Sequence, residues 1–378
     1  MLYLDHAATT PMRPGVWEAM SPFSGDAFGN ASGSHAVSRR AKNALEDARE
    51  LAASIIGARP GEVVFTGGGT ESDNLAVKGA VLARTGSSGW LGPGGPEFLT
   101  VVTEHEAVLE SARFLARFGF PTKLVGVDRF GRIEPEEVAE AMSDATGVVS
   151  VMAANNETGA MTPLAKIAAA VKDRNPGVLL HTDAVQAFVS ERIDVDDLGV
   201  DLLTLAAHKF GGPQGVGLLY VREGTRLEPV LHGGGQELGR RSGTHNVSGA
   251  VGMATAMELA CADRPRFRTD IAEARRRFET ALVGVAAPTV PVEDRLVQHS
   301  HLRFPGVSNE TLLIKLDGLG LAASTASACQ SGAATVSHVL TAMGYTDEEA
   351  RQCLRFSFGW TTTAADGELA AELVKACL

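Results

Sequence analysis

Five short apolar segments of this chain are each followed at once by side chains able to do chemistry. Segment 62–66 leads into Gly67-Gly68-Gly69-Thr70-Glu71-Ser72, and segment 98–103 into Glu104-His105. Segment 148–152 leads into Asn155-Asn156-Glu157-Thr158-Gly159, and segment 178–182 into Asp183, with Gln186 three positions on. Segment 202–206 leads into His208-Lys209 and the turn Phe210-Gly211-Gly212-Pro213. The glycine run lets backbone approach a ligand, and the free N–H groups of a helix start suit a phosphate. It has neither the GxxxxGK[ST] nor the GxGxxG spacing, so P-loop and dinucleotide readings lose support. A lone His is most often a hydrogen-bonded structural group, and a lone Asp after a strand a helix cap. Five such sets in series are another matter if one fold gathers them. Of the eight lysines, only Lys209 sits between an apolar strand and a glycine turn. A lysine held near a low-dielectric pocket can lose its proton and form a Schiff base.

The elements needed to gather these sets are legible. Strands are expected at 62–66, 98–103, 124–128, 148–152, 178–182, 202–206 and 216–221, with helices at 38–56, 75–83, 107–117, 135–143 and 163–174. Val- and Leu-rich strands separated by helices predict an α/β fold, a large mostly parallel sheet sandwiched by helices. In such sheets ligands bind beyond the carboxyl ends of the strands, where the five sets lie. After about residue 252 the pattern changes to a smaller α+β region. It is led by a charged helix at 264–283, on which Arg275, Arg276 and Arg277 read as a solvated face. The expected division is a large domain over 15–257 and a small one made of 1–14 and 258–378.

Composition bounds the function. With 378 residues, 44% hydrophobic and 21% charged, the chain is long enough to bury a large core without staples. Its net charge of −11 argues against direct nucleic-acid contact. The four cysteines, Cys261, Cys329, Cys353 and Cys377, form no CxxC pair, so neither a disulfide framework nor a metal centre is expected. Segment 1–11 lacks the basic flank and apolar stretch of a signal peptide, and no apolar run reaches the roughly 18 residues of a membrane span. A soluble cytoplasmic enzyme is the expectation. Stretch 85–96, rich in Gly, Ser and Pro, reads as a surface loop with Trp90 folded back.

The inventory is a phosphate cradle, an imidazole, a buriable Asp, an Asn/Gln pair and one singular lysine. A carboxylate facing a pyridine nitrogen keeps it protonated, so that the ring acts as an electron sink. Lysine, Asp and cradle together describe a pyridoxal 5'-phosphate pocket. Cys329 lies in a run of small residues, 323–337, with little to bury, a composition suited to a loop that swings a thiol between a pocket and an acceptor. Cys261, Cys353 and Cys377 sit in helical, apolar settings and read as ordinary small hydrophobes.

At this point the chain resembles the cysteine desulfurases, class V aminotransferase-like enzymes of fold type I that depend on pyridoxal phosphate. The similarity runs from Tyr3 to about Thr363. It is carried by YLDHAATTP (3–11), GNASGSH (29–35), FTGGGTESDNLAVKG (65–79), TEHEAV (103–108), ANNETG (154–159), HTDAVQA (181–187), AAHKFGGPQGVG (206–217), GGGQE (233–237), RSGTHNV (241–247), SACQSG (327–332) and LRFSFG (354–359). The resemblance implies that Lys209 bonds the cofactor and later moves protons at the substrate α-carbon. His105 would stack on the ring and assist acid–base steps, Asp183 would pair with the pyridine nitrogen, and Gln186 with the ring oxygen. Gly69, Thr70 and His208 would hold the phosphate, joined by Thr244 from the other subunit of a homodimer. Asn156 would contact cofactor and substrate, and with Arg355 would hold the substrate carboxylate. Cys329, on a loop over about 322–337 of the small domain, would accept sulfur from L-cysteine as a persulfide, releasing L-alanine. The persulfide would then pass to an acceptor protein, a scaffold for iron–sulfur assembly or a thiolation enzyme.

Four features depart from the family pattern. Many relatives carry a serine where Ala206 stands, so one phosphate hydrogen bond is expected to be missing or supplied by Thr204. Ala326 replaces a glycine near the cysteine, Trp360 stands where an arginine is common, and the chain stops at Leu378 without the longer tail of some relatives. Two alternatives stay open. One is a pyridoxal-phosphate aminotransferase or selenocysteine lyase-type enzyme, which needs no persulfide on Cys329. The other is a noncatalytic nucleotide-binding or scaffold protein on the same sheet.

Overall fold

The computed structural model describes residues 1–85, 95–325 and 336–378. The expected loop with Trp90 and the stretch holding Ala326 and Cys329 therefore fall largely outside the described residues.

A seven-stranded sheet is the largest sheet among the described residues. Its spatial order is Val63–Thr66, Gly217–Val221, Leu202–Ala206, Leu179–Asp183, Thr146–Ser150, Glu97–Val101 and Thr122–Val125. Five neighbouring strands run parallel, and Gly217–Val221 lies antiparallel to both its neighbours. Side chains alternate between faces because the strand period is two. Val149, Leu203 and Leu205 join one core with Met253 and Met257, whereas Val148, Leu202 and Val64 join another beneath Leu75 and Phe98. Burial on both faces explains why these strands read as continuous apolar runs. Six of the seven lie within two residues of the expected positions, and the strand expected at 124–128 ends three residues earlier, at Val125.

A three-stranded antiparallel sheet, Cys353–Ser357, His299–Arg303 and Ala287–Pro288, packs against Asn309–Gly318, Ala364–Cys377 and one half of a long helix. Phe278, Phe304, Phe356 and Phe358 fill its core. The short N-terminal strand Leu2–Tyr3 pairs with Leu321–Ala322.

Three expectations are corrected. Cys353, expected in a helical setting, opens the strand Cys353–Ser357. The helix expected at 264–283 begins at Val247 and runs 35 residues to Ala281, through Pro265 and across residue 257. Its first half, rich in Ala and Gly, shows no charged face because it packs Met253, Met257 and Ala260 into the large core. Its second half packs Phe267, Ile271 and Phe278 into the small one. Packing on both sides of Pro265 carries the helix past a residue that normally ends one. Arg276 and Arg277 face solvent and pair with Glu273 and Glu368, but Arg275 is buried. Helical geometry turns it inward beside Ala274 and Phe278.

Candidate active site

The parallel strands end on one edge of the sheet, and the polar sets meet there. Gly69, Thr70, His105, Asn156, Asp183, Gln186, His208, Lys209 and Arg355 all line one cavity of about 260 Å³. Of the expected site residues, Thr244 is not among those lining it, and Cys329 lies outside the described residues.

One end of the cavity is built from backbone. Helix Gly69–Ala83 begins there without a side-chain cap, and the N–H groups of a first helical turn have no partner inside the helix. Gly68 precedes it at φ 151°. A Cβ on Gly69 would stand 3.3 Å from Ala206 Cβ and Val185 Cγ2, so glycine is what lets this helix start approach the sheet edge. His208 joins this end, its Nδ1 3.1 Å from Thr9 Oγ1. Burial, then the charge of Lys209, pushes the His208 pKa down to about 4, so the ring is neutral. Thr204 does not replace the hydroxyl missing at Ala206. Its Oγ1 lies 3.1 Å from His181 Nε2 and also serves Asp73, outside the cavity lining.

Asp183, the last residue of its strand, and His105 form the middle. Asp183 Oδ1 accepts the N–H of Val185 at 2.9 Å. Burial raises its pKa, opposed by His105, that N–H and Lys209. His105 caps helix Glu106–Arg117, its Nδ1 accepting from Ala107 N at 3.2 Å. Cap and site residue are here the same side chain. Because Nδ1 accepts, the neutral ring carries its proton on Nε2. Burial lowers its pKa, opposed by Asp183 and assisted by Lys209.

Lys209 is half-buried, and its Nζ donates to the carbonyls of Ala7 at 2.6 Å and Ala8 at 2.9 Å. The Ala7 carbonyl also accepts from Gln186 Nε2 at 3.0 Å. Segment 5–10 thus crosses the site as a brace. Ala7 N donates to Ser357 Oγ, and Thr10 N to the His208 carbonyl. At the far end Arg355 donates to the Asn156 carbonyl at 2.8 Å and to Asp5 Oδ1 at 2.7 Å, with its Nε buried and unpartnered. Ser324, paired through backbone with Arg355, lines the same end, and Ser337 binds Glu157 beside it. The chain therefore enters and leaves the stretch holding Cys329 close to Arg355 and Asn156.

Sequence reasoning missed three contributors to the cavity wall, Asp5, Asp73 and the Ala7–Ala8 carbonyls. Their signal was membership of the matching segments YLDHAATTP and TESDN, where no chemistry had been given to them. Trp360 lies outside the cavity, its Nε1 donating to the Pro11 carbonyl and its ring 5.4 Å from the Arg13 guanidinium. It borders a separate surface cleft of about 760 Å³ that contains none of the five sets.

Comparison with known proteins agrees with this geometry. The family model for aminotransferase class-V matches residues 2–369. A cysteine desulfurase, IscS, of Dictyoglomus turgidum is 41% identical over 97% of this chain and 91% of its own length. Among solved structures, a NifS-like protein superposes with a TM-score of 0.91 at 34% identity, covering 99% of this chain and 98% of its own. SspA in complex with cysteine gives 0.81 at 34% identity, covering 95% and 99%. The chain belongs to the class-V aminotransferase family and, within it, to the cysteine desulfurases.

Proposed function

We propose that the protein is a pyridoxal 5'-phosphate-dependent cysteine desulfurase that converts L-cysteine to L-alanine and carries the sulfur as a persulfide on Cys329. One observation supports this most: an anion-binding helix start, Asp183, Lys209 and Arg355 converge on a single cavity. That donor set fits the cofactor. The backbone at Gly69–Thr70 with His208 would hold its phosphate, Asp183 its ring nitrogen, and Lys209 its aldehyde carbon. When bound, pyridoxal phosphate supplies an electrophilic carbon and a ring that stabilises negative charge at the substrate α-carbon.

The chain's own groups do the rest. Arg355 orients the substrate carboxylate through its guanidinium fork. The Lys209 amine, which donates to the Ala7 and Ala8 carbonyls, would move protons at the substrate α-carbon. His105, kept neutral by burial, is available to take a proton from a thiol. The Cys329 thiolate attacks the substrate sulfur, forming the S–S bond of the persulfide as the carbon–sulfur bond breaks; the electron pair stays with the β-carbon, which takes a proton to become the methyl of alanine.

The working unit is a homodimer in this reading. Thr244 lies outside the cavity of its own chain, on a segment that exposes Val230, Leu231 and Leu238. A partner covering that surface would bury it and receive Thr244 at its phosphate end. The persulfide acceptor is a protein of iron–sulfur assembly or thiolation. Among the described residues no helix is long and apolar enough to cross a membrane.

The test measures alanine and sulfide formed from L-cysteine in the presence of a thiol reductant, wild type beside Cys329→Ser. The wild type should form both, and Cys329→Ser should bind cofactor yet release no sulfide. Unchanged turnover by Cys329→Ser would favour the aminotransferase or selenocysteine lyase-type reading.

A further inference from the structure

Beside Asp183, in and behind the wall of the cavity, stand two acids that the mechanism above does not use, Asp73 and Glu104. One carboxylate oxygen of Asp73, one of Asp183 and a ring nitrogen of His105 lie within 4.8 Å of one another. Asp73 and Glu104 are 1% and 0% exposed. Asp73 and Asp183 cannot both ionise in such a space, because like charges in a water-poor site force a proton onto the less stabilised group.

The surroundings decide which one stays charged. Asp183 accepts the Val185 N–H and faces His105 and Lys209. Glu104 Oε1 takes the Met152 N–H at 2.6 Å, but its Oε2 is buried without a partner. Asp73, on helix Gly69–Ala83, has the Thr204 hydroxyl and, 3.6 Å from its Oδ1, the His181 Nε2. That oxygen has no hydrogen-bond partner either. His181 brings no charge, since burial pushes its pKa down to about 3. No cation therefore faces Asp73 from its own helix, from the His181 strand or from the Thr204 strand among the described residues. Burial, followed by the Asp183 charge, holds the Asp73 carboxyl well above its usual range. Burial and the same charge do likewise to Glu104.

We propose that Asp73 is a positioning residue that retains a proton, leaving the negative charge of the cluster on Asp183, opposite the cofactor's ring nitrogen. Its O–H dipole then supplies Asp183 with stabilisation that water would give in an open site. The inference rests on the cofactor reading of this cavity. It goes beyond that reading by naming the group that keeps Asp183 ionised.

Two readouts test it. The first is infrared spectroscopy of the cofactor-free protein at pH 8. The carbonyl stretch of a protonated carboxylic acid should be present in the wild type and reduced in Asp73→Asn. Its absence from the wild type, or its full persistence in Asp73→Asn, would overturn the proposal. The second is cofactor affinity with the pH dependence of its visible absorption. Asp73→Asn, neutral and polar, should bind within about threefold of wild type with an unmoved absorption midpoint, whereas Asp73→Leu should bind about tenfold more weakly, the scale of one hydrogen bond to a charged group. Equal damage in both variants would mean that the carboxylate charge matters, and no damage in Asp73→Leu would remove the positioning role. Either result overturns the proposal. Should Asp73→Leu fail to fold, the infrared band and Asp73→Asn still decide. Wild-type protein that shows the band but takes up no cofactor would overturn the cofactor reading, and with it this role.

Discussion

Arg355 Nη2 and Asp5 Oδ1 stand 2.7 Å apart in the wall of the cavity, so the guanidinium edge suited to a substrate carboxylate is already occupied. If Arg355 holds the substrate carboxylate as proposed, Asp5 is at once its brace and a competitor of the substrate. Asp5→Asn keeps an oxygen acceptor and removes the competing charge. We expect KM for L-cysteine to fall a few-fold, about the effect of one weakened ion pair, with kcat nearly unchanged. Steady-state kinetics checks this, and a rise in KM would show that bracing dominates.

Three fully buried histidines weaken the fold in acid. Burial pushes the pKa values of His181, His299 and His301 down to about 3, against 6.5 when unfolded. The unfolded chain therefore binds protons between pH 6.5 and 3 that the folded chain does not. Stability is complete above about pH 6.5 and is lost as pH falls, by up to about 1.4 kcal/mol per unit for each ring. Asp73 and Glu104, held above their usual range, act with the opposite sign, losing stability as pH rises from about 4. Urea unfolding of wild type and His301→Asn at pH 5 and 6.5 separates the two. The variant should show the shallower pH dependence, and an unchanged slope would contradict the assignment.

The cysteines should differ sharply in reactivity. Burial pushes the Cys353 thiol up to about 12 and raises that of Cys261. Cys377 is buried. A brief treatment of the native protein with iodoacetamide, followed by peptide mass mapping, should modify Cys329 and spare the other three. Early modification of Cys353 would be the contrary result.

Gly367 marks where the last helix, Ala364–Cys377, meets the long helix Val247–Ala281. A Cβ there would stand 2.1 Å from the Ala274 carbonyl oxygen. Gly367→Ala should cost about 1–3 kcal/mol through overpacking, read as a lowered Tm. Wild-type stability would mean that the helices can move apart freely.

Much of this was legible in the sequence, for identifiable reasons. Strands such as Leu202–Ala206 were found because burial on both faces leaves an unbroken apolar run. The convergence of Lys209, Asp183 and His105 on one cavity was legible because a parallel sheet brings its strand ends together. The start of the long helix at Val247 was not found, since its Ala- and Gly-rich first half has no polar side to reveal a period. Arg275 was misplaced because three consecutive arginines look alike in a sequence, while only geometry turns one inward. Asp5 and Asp73 were read as members of matching segments. Their roles depend on contacts with Arg355 and Asp183, at separations of 350 and 110 residues, that no local pattern encodes.

The account depends most on which lysine bonds the cofactor. Protein loaded with pyridoxal phosphate, reduced with borohydride and mapped by peptide mass spectrometry should carry the pyridoxyl group on Lys209, with Lys209→Ala unlabelled and colourless. A label on any of the other seven lysines, or a wild type that takes none, would contradict it.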